Sequence, residues 1–323
     1  MKLRSAAAQG LALGFAAAAL WWLGRNTATT LGDRGIALGF GFLDQPANFE
    51  IGDAPIAYDP SNSFARAILV GLANTARVSV LGWVFAIALG FVLGIARLST
   101  NPMLRGVARA VVELVRNVPL LLLLLFVAAV MHALPPAREA LEPIPGVFIS
   151  DRGLVLPWLA VVDGRWIIDR PSLRGFNFAG GLTISPELTA LLAALVLHHG
   201  AHISEVVRGA VLAVSTRQRD AAYALGLSRA QTMRFVVVPQ ALRAMVPLLA
   251  TNCVSLTKNS SLAVAIGFPD LVSILNTTAN QTGHAIETML IMIVVYLALS
   301  LMVAAAMDAY NRRLLRPAGP SGA

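Results

Sequence analysis

Charge is what this chain has least of. Only 13% of its 323 residues are Asp, Glu, Lys or Arg, against about a quarter in a soluble globular domain. A fold that meets water on every side is excluded, because its surface has to be polar. Cysteine occurs once, at Cys253, so no disulfide can form within the chain. There is no GxxxxGK(S/T) phosphate loop, so ATP hydrolysis does not reside here. GxSxG and HExxH are missing as well. Catalysis on this chain is therefore not expected, and neither is a cofactor. Nucleic acid is no partner either. The net charge of +8 comes almost entirely from arginines scattered among apolar stretches, with no basic stripe. No internal repeat is visible.

What remains is apolar. Hydrophobic residues make up 57% of the chain, and the mean hydropathy is +0.70. Both values describe an all-α integral membrane protein in a lipid bilayer. A spanning helix needs about 20 mostly apolar residues. Six stretches qualify. They are Ala6–Leu23; Phe64–Ala96, whose uncharged part is Val78–Ala96; Val118–Leu134, with a helix start as early as Leu104; Leu182–Ile203; Ala241–Ile266; and Glu287–Met307. The first ends at Trp21-Trp22, which suit an interfacial anchor, so it reads as a retained span rather than a cleaved signal. Gly82, Gly90 and Gly94 in the second permit close helix approach, Gly90 and Gly94 forming a GxxxG.

Arginine in the loops sets the orientation. Arg97, Arg105, Arg109 and Arg116 follow the second span; Arg208, Arg217, Arg219, Arg229, Arg234 and Arg243 lie between the fourth and fifth; Arg312, Arg313 and Arg316 end the chain. With six spans these fall on one side, so both termini are expected in the cytoplasm. Two long loops lie opposite. Asn26–Ser63 is rich in Gly, Asp, Asn and Pro and has no helical period; Pro135–Gly181 carries short β-like pieces at PIPGVF, LVLPW and GRWIID. Both are expected to be ordered loops rather than independent domains. The chain thus divides into 1–63, a first span and loop; 64–310, one membrane domain; and 311–323, a tail.

The most informative polar stretch is RDAAYALGLSRAQTMRFVVVPQALR, between two spans. After Asp220, Ala221 and Ala222 start a short helix. Gly226 allows a tight turn, and a second amphipathic helix runs into Pro239, which can begin the next element. Such an Arg-rich helix–turn–helix makes a docking knob. Arg217, Arg219, Arg229 and Arg234 can meet an acidic rim, while Tyr223, Leu225 and Leu227 fill an apolar groove. The plainer alternative is a positive loop resting on lipid headgroups.

The spacing is Asp220-Ala221-Ala222, three residues, Gly226, nine residues, Val236, one residue, Val238-Pro239. It resembles the coupling loop of binding-protein-dependent ABC importer permeases, with Asp220 in place of the usual Glu and Val238 in place of Leu. VELVRNVPLLLLL at Val112–Leu124, SEVVRGAVLAVS at Ser204–Ser215 and SLTKNSSLAVAIGFPDL at Ser255–Leu271 look like the polar-amino-acid branch of that family. WWLGRNTATTLGDRGIALGFGFLDQPANFEIGD and RGFNFAGG are similar to one of the two permeases of broad-specificity L-amino-acid importers. The resemblance implies a type I importer bundle of about six transmembrane helices in the inner membrane, with a coupling loop at 204–243. It implies a second related permease, a pair of ATPase subunits that hold the ATP and magnesium, and a periplasmic binding protein that delivers an amino acid. The chain departs from that group in two places. Its loop between the third and fourth core spans is shorter, and His198-His199-Gly200-Ala201-His202 stands where small and hydroxyl residues are usual.

Asn252, Ser255 and Asn259 recur at i, i+3 and i+7 on one helical face, with Lys258 and Ser260 beside them. Polar groups at membrane depth face protein or a water-filled path. These residues are candidates to line a translocation path; a structural network with Lys258 reaching toward the interface is the alternative. His198 and His202, at i and i+4 near Glu205, are candidates for path lining or packing. His198, His199, His202 and Glu205 also invite a metal reading, but a metal would need three or four converging ligands with outer support. Glu113 with Arg116, and Glu205 with Arg208, are gate latches or ordinary i, i+3 pairs of little energy when wet. The rivals to an importer permease for amino acids are a permease for another small polar solute, a passive channel, and a membrane-embedded metal-dependent enzyme.

Overall fold

Long apolar runs have one way to satisfy their backbone in lipid without a partner strand, and that is the helix. The computed structural model describes residues 2–33, 39–162 and 165–315. Helix α1 spans Lys2–Asp33 and contains the first expected span. It also corrects the expected loop, because Asn26–Asp33 continues the helix. Helix α2 spans Phe64–Arg97, with Ser63 as its N-cap. Helices α3, Pro102–Asn117, and α4, Leu120–His132, replace the single third span and meet at 106°. The cause is local. Pro119 pushes Val118 out of the helical region, to φ −92° and ψ 127°.

Helix α5 runs Pro186–Ala213, starting later than expected because Leu182–Ile184 is a strand. Two short helices follow, α6 at Thr216–Ala224 and α7 at Arg229–Thr232. Helix α8, Val238–Asn259, is the fifth span, and its expected last residues form a tighter 3-10 turn, Ser260–Ile266. Helix α9, Leu271–Thr282, was not foreseen; Asp270 caps its start and Gly283, at φ +76°, ends it. Helix α10 runs Ala285–Leu315, beyond both expected bounds. Among the described residues four helices are long and apolar enough to cross a membrane, or five if α3 and α4 count as one bent span.

Helices α2 and α5 form the centre of the bundle, and the GxxxG of α2 makes their seam. A Cβ on Gly94 would stand 2.7 Å from Val207 Cβ, and one on Gly90 would overlap Ile203. Leu124 of α4, Leu188, Leu191 and Leu195 of α5, Leu256 of α8 and Phe268 complete one buried core. At the other end of α2, Phe42, Phe64, Ile68, Leu271, Ile274 and Leu275 form a second core that fastens the loop after α1 to α2 and α9.

The segment between α4 and α5 is more regular than loops with β-like pieces. Strands β1, Leu141–Ile144, β2, Val147–Ser150, β3, Gly153–Leu156, and β8, Leu182–Ile184, form one antiparallel sheet in that order. Two hairpins project from it, β4–β5 over Trp158–Val162 and Arg165–Asp169, and β6–β7 over Ser172–Arg174 and Asn177–Ala179.

Candidate functional site

The helix–turn–helix expected to serve as a coupling element is built from local chemistry. Helix α6 ends in a Schellman turn: Gly226 N–H donates to the Tyr223 carbonyl at 2.9 Å, and Leu227 N–H to the Ala222 carbonyl at 3.1 Å. Gly226 sits at φ +82°, where other residues are strained. Ser228 and Gln231 then form a reciprocal capping box that starts α7.

Pro239 does not separate this element from the span. Helix α7 passes through a π-turn, Met233–Val237, straight into α8, and Val238 N–H bonds the Met233 carbonyl. The wider turn relieves the clash that Pro239 would make four residues back. The result is a continuous rod from Arg229 to the membrane core.

Ala222, Thr232 and Val237 are buried and seat the element on the bundle. Arg219 is half-buried and also ties the element to the bundle: its Nη2 donates to the Val211 carbonyl of α5 at 2.5 Å. Arg217, Asp220, Ala221, Arg229, Arg234 and Pro239 are exposed, and Leu227 is half-buried. Tyr223 and Leu225 form an apolar tip, Leu225 being 83% exposed. An exposed tip on a fixed base has the form of a docking surface.

On α8, Asn252 is half-buried with its amide on the Leu248 carbonyl, and Ser255 and Lys258 are exposed; Ser260, at the start of the 3-10 turn that follows, is buried with its hydroxyl on the Thr257 carbonyl. Asn259 crosses to α5, where its Nδ2 lies 3.2 Å from His199 Nε2. His199 was the histidine left out of the expected pair, and it is the most buried of the three. His198 and His202 do share a face, with ring centroids 4.8 Å apart. Among the described residues no group of three His, Cys, Asp or Glu side chains is placed to hold a metal ion.

The ion pairs are rewired. Glu205 bonds Arg208 at 2.5 Å as expected, but it also bonds Arg97 of α2 and lies 3.9 Å from Arg116 of α3. Glu113 pairs with Arg109 at 2.7 Å and not with Arg116. Three helices are thus pinned by one carboxylate at the coupling end.

The opposite end holds a polar hub with no counterpart in the expected set. Asp53 binds Arg77 at 2.8 Å and accepts from the Ser185 hydroxyl at 3.0 Å. Asn74 donates to the carbonyls of Asp53 and Pro269 at 2.6 and 2.9 Å. The hub joins the loop, α2, the start of α5 and the turn before α9. Beside it a cavity of about 460 Å³ is lined by Glu50, Asp53, Ser185, Glu187, Ser273 and Thr277, among others. Asp270 is buried next to the hub; loss of hydration pushes its carboxyl up to about 7, against hydrogen bonds from the α9 backbone and Tyr296.

This is the architecture of a helical permease with an exposed helix–turn–helix at one end. Residues 86–316 match the family described as "Binding-protein-dependent transport system inner membrane component". The chain belongs to that family, and it is a permease component of a transport system rather than an enzyme. It is 38% identical to the putative amino-acid ABC transporter permease protein YhdX of Escherichia coli, over 91% of this chain and 89% of that one. It is 35% identical to the general L-amino acid transport system permease protein AapQ of Rhizobium johnstonii, over 91% and 88%. The first alignment runs to 351 positions, longer than this chain, so the relative carries stretches that have no counterpart here. In fold it is similar to an amino acid ABC transporter crystallised with histidines, with a TM-score of 0.58 and 22% identity, covering 77% of this chain and 95% of that one. It is also similar to the inward-facing MetNI methionine ABC transporter, with a TM-score of 0.56 and 18% identity, covering 80% and 100%.

Proposed function

We propose that this chain is one of two related permeases in an ATP-driven importer of L-amino acids, of polar or broad specificity. One observation carries the coupling role: an exposed apolar tip at Tyr223 and Leu225, on the end of α6, is joined by the single turn at Gly226 to a helix that continues without a break from Arg229 into the α8 span. The names of the relatives support an amino acid as cargo.

The cycle follows from differential stabilisation of two states. A periplasmic binding protein delivers the amino acid at the Asp53 end. ATP and magnesium, held by a separate ATPase pair, close that pair around α6 and α7. The rod from Arg229 carries the displacement to Asn252, Ser255, Lys258 and Asn259, which border the path. A zwitterion leaving water needs replacement partners for its ammonium and carboxylate. Amides and hydroxyls supply them weakly enough for release. Residues 64–310 form the transport domain, and both termini face the cytoplasm. A cysteine at Ser321 in a Cys253→Ser background should resist an impermeant thiol reagent in intact cells.

The test is purification in mild detergent followed by reconstitution. An ATPase pair and a second permease should co-purify, and uptake of amino acids should require ATP and the binding protein. Flux without ATP would make the chain a passive channel and end this reading.

A further inference from the structure

We infer that α3 and the groove at its N-terminal end bind an anionic phospholipid, with the headgroup on arginines and one acyl chain in the groove. Helix α3 has three sectors. Ala108 and Val112 are buried, against α2 and α5. Met103, Val107, Val111 and Leu114 recur at three- and four-residue steps and are exposed, Leu114 at 69%. Arg105, Arg109 and Arg116 recur at steps of four and seven on the third sector and are exposed. A helix divided this way belongs at a boundary between oil and water. The bend agrees. Helix α4 packs beside the spanning α5, so a turn of 106° lays α3 along the membrane surface.

The charge around the third sector is in surplus. Arg97, Arg105, Arg109, Arg116 and Arg208 surround two carboxylates, Glu113 and Glu205. Both carboxylates are taken, Glu113 by Arg109 and Glu205 by Arg97 and Arg208. Arg105 has no acidic partner among the described residues. A phosphodiester is the anion that a membrane surface presents to such a cluster.

The groove supplies the second observation. Between α2, α3, α5 and α8 lies an opening of about 450 Å³, lined by Phe91, Ile95, Leu104, Val207, Leu242 and Met245, and apolar throughout but for Ser99. Leu104 immediately precedes Arg105, so the groove and the arginine sector meet at one turn of α3. Water gains nothing there, whereas a hydrocarbon chain does.

The assembled transporter, exposed to an equimolar mixture of phosphatidylglycerol and phosphatidylcholine with matched chains, tests this by native mass spectrometry of retained lipid. Wild type should retain phosphatidylglycerol in preference. Arg105→Gln/Arg109→Gln should weaken that retention about thirtyfold, at roughly fivefold for each arginine beside an anionic surface. Leu104→Trp, which fills the groove without touching a charge, should lower retention of both lipids. Arg217→Gln/Arg229→Gln, on α6 and α7 rather than on α3, should keep the wild-type preference. Equal retention of the two lipids by wild type, or undiminished preference in the Arg105/Arg109 variant, overturns the proposal. Unchanged retention in Leu104→Trp overturns the groove. Loss of the ATPase subunits from the Arg105/Arg109 variant overturns it too, and makes α3 a protein-docking surface.

Discussion

Gly226 tests the coupling element at one backbone torsion. It stands at φ +82°, and a Cβ placed there meets nothing within 4 Å. Space is therefore not what requires glycine; the left-handed conformation is. That conformation costs an ordinary L-residue roughly 1–2 kcal/mol, and asparagine much less. A β-branched side chain is worse still. Two hydrogen bonds, to Tyr223 and Ala222, depend on the turn. A penalty of about 1–2 kcal/mol reduces the population of the intact turn by a factor of roughly five to thirty. When the turn opens, α7 no longer follows α6, and in the proposed cycle motion of the ATPase pair is not passed to the rod. ATPase rate and uptake, measured in the same proteoliposomes, report this as substrate moved per ATP. Gly226→Asn should stay near wild type, Gly226→Ala should fall part of the way, and Gly226→Val should fall furthest, all with assembly intact. A Gly226→Val transporter with wild-type uptake per ATP would refute the reasoning.

Removing the Glu205 side chain as Glu205→Ala leaves Arg97, whose side chain is 9% exposed, without its carboxylate. The cost should be about 2 kcal/mol, read as a melting temperature lowered more than by Arg208→Ala, which leaves the Arg97 pair in place. Asp270 gives a pH dependence with a definite sign. Its carboxyl is raised from 3.8 to about 7, so between those values the folded protein holds a proton that the unfolded chain has lost. Stability should fall as pH rises from about 4 to 7 and then level off, and melting curves of Asp270→Asn should lack that component; matching slopes in the two proteins would contradict it. Asn252→Leu and Asn259→Leu should lower transport and change the ratio of acidic, neutral and basic amino acids taken up, with assembly and binding-protein affinity intact. Unchanged ratios in assembled complexes would remove both residues from the path.

Local chemistry made part of this protein legible from residue order alone. The spans α2, α5, α8 and α10 follow from apolar runs, which lipid forces into helix whatever their neighbours are. The helix–turn–helix of α6 and α7 is legible at Gly226, whose turn acts on backbone groups within a few residues; the capping box of Ser228 and Gln231 is equally local but was found only in the structure. The bend at Val118-Pro119 was equally local. Proline's effect on the residue before it breaks an apolar pattern that is otherwise continuous from Val118 to Leu134.

The rest depended on contacts between distant segments. Glu205 looked like the partner of Arg208 because spacing within a helix reveals only neighbours three or four residues away. Arg97, 108 residues distant, reaches it because Gly90 and Gly94 bring α2 against α5. His199, rather than His198 or His202, meets Asn259 because the crossing of α5 and α8 decides which face is inward. Asp53 became a hub, and Arg219 a tie, only once four segments had converged on the one and α6 had folded back on the other. Residue order alone determines the helices because their hydrogen bonds close within four residues; the polar contacts between them are decided by packing, since charge and amide carry no information about which distant partner the fold will bring near.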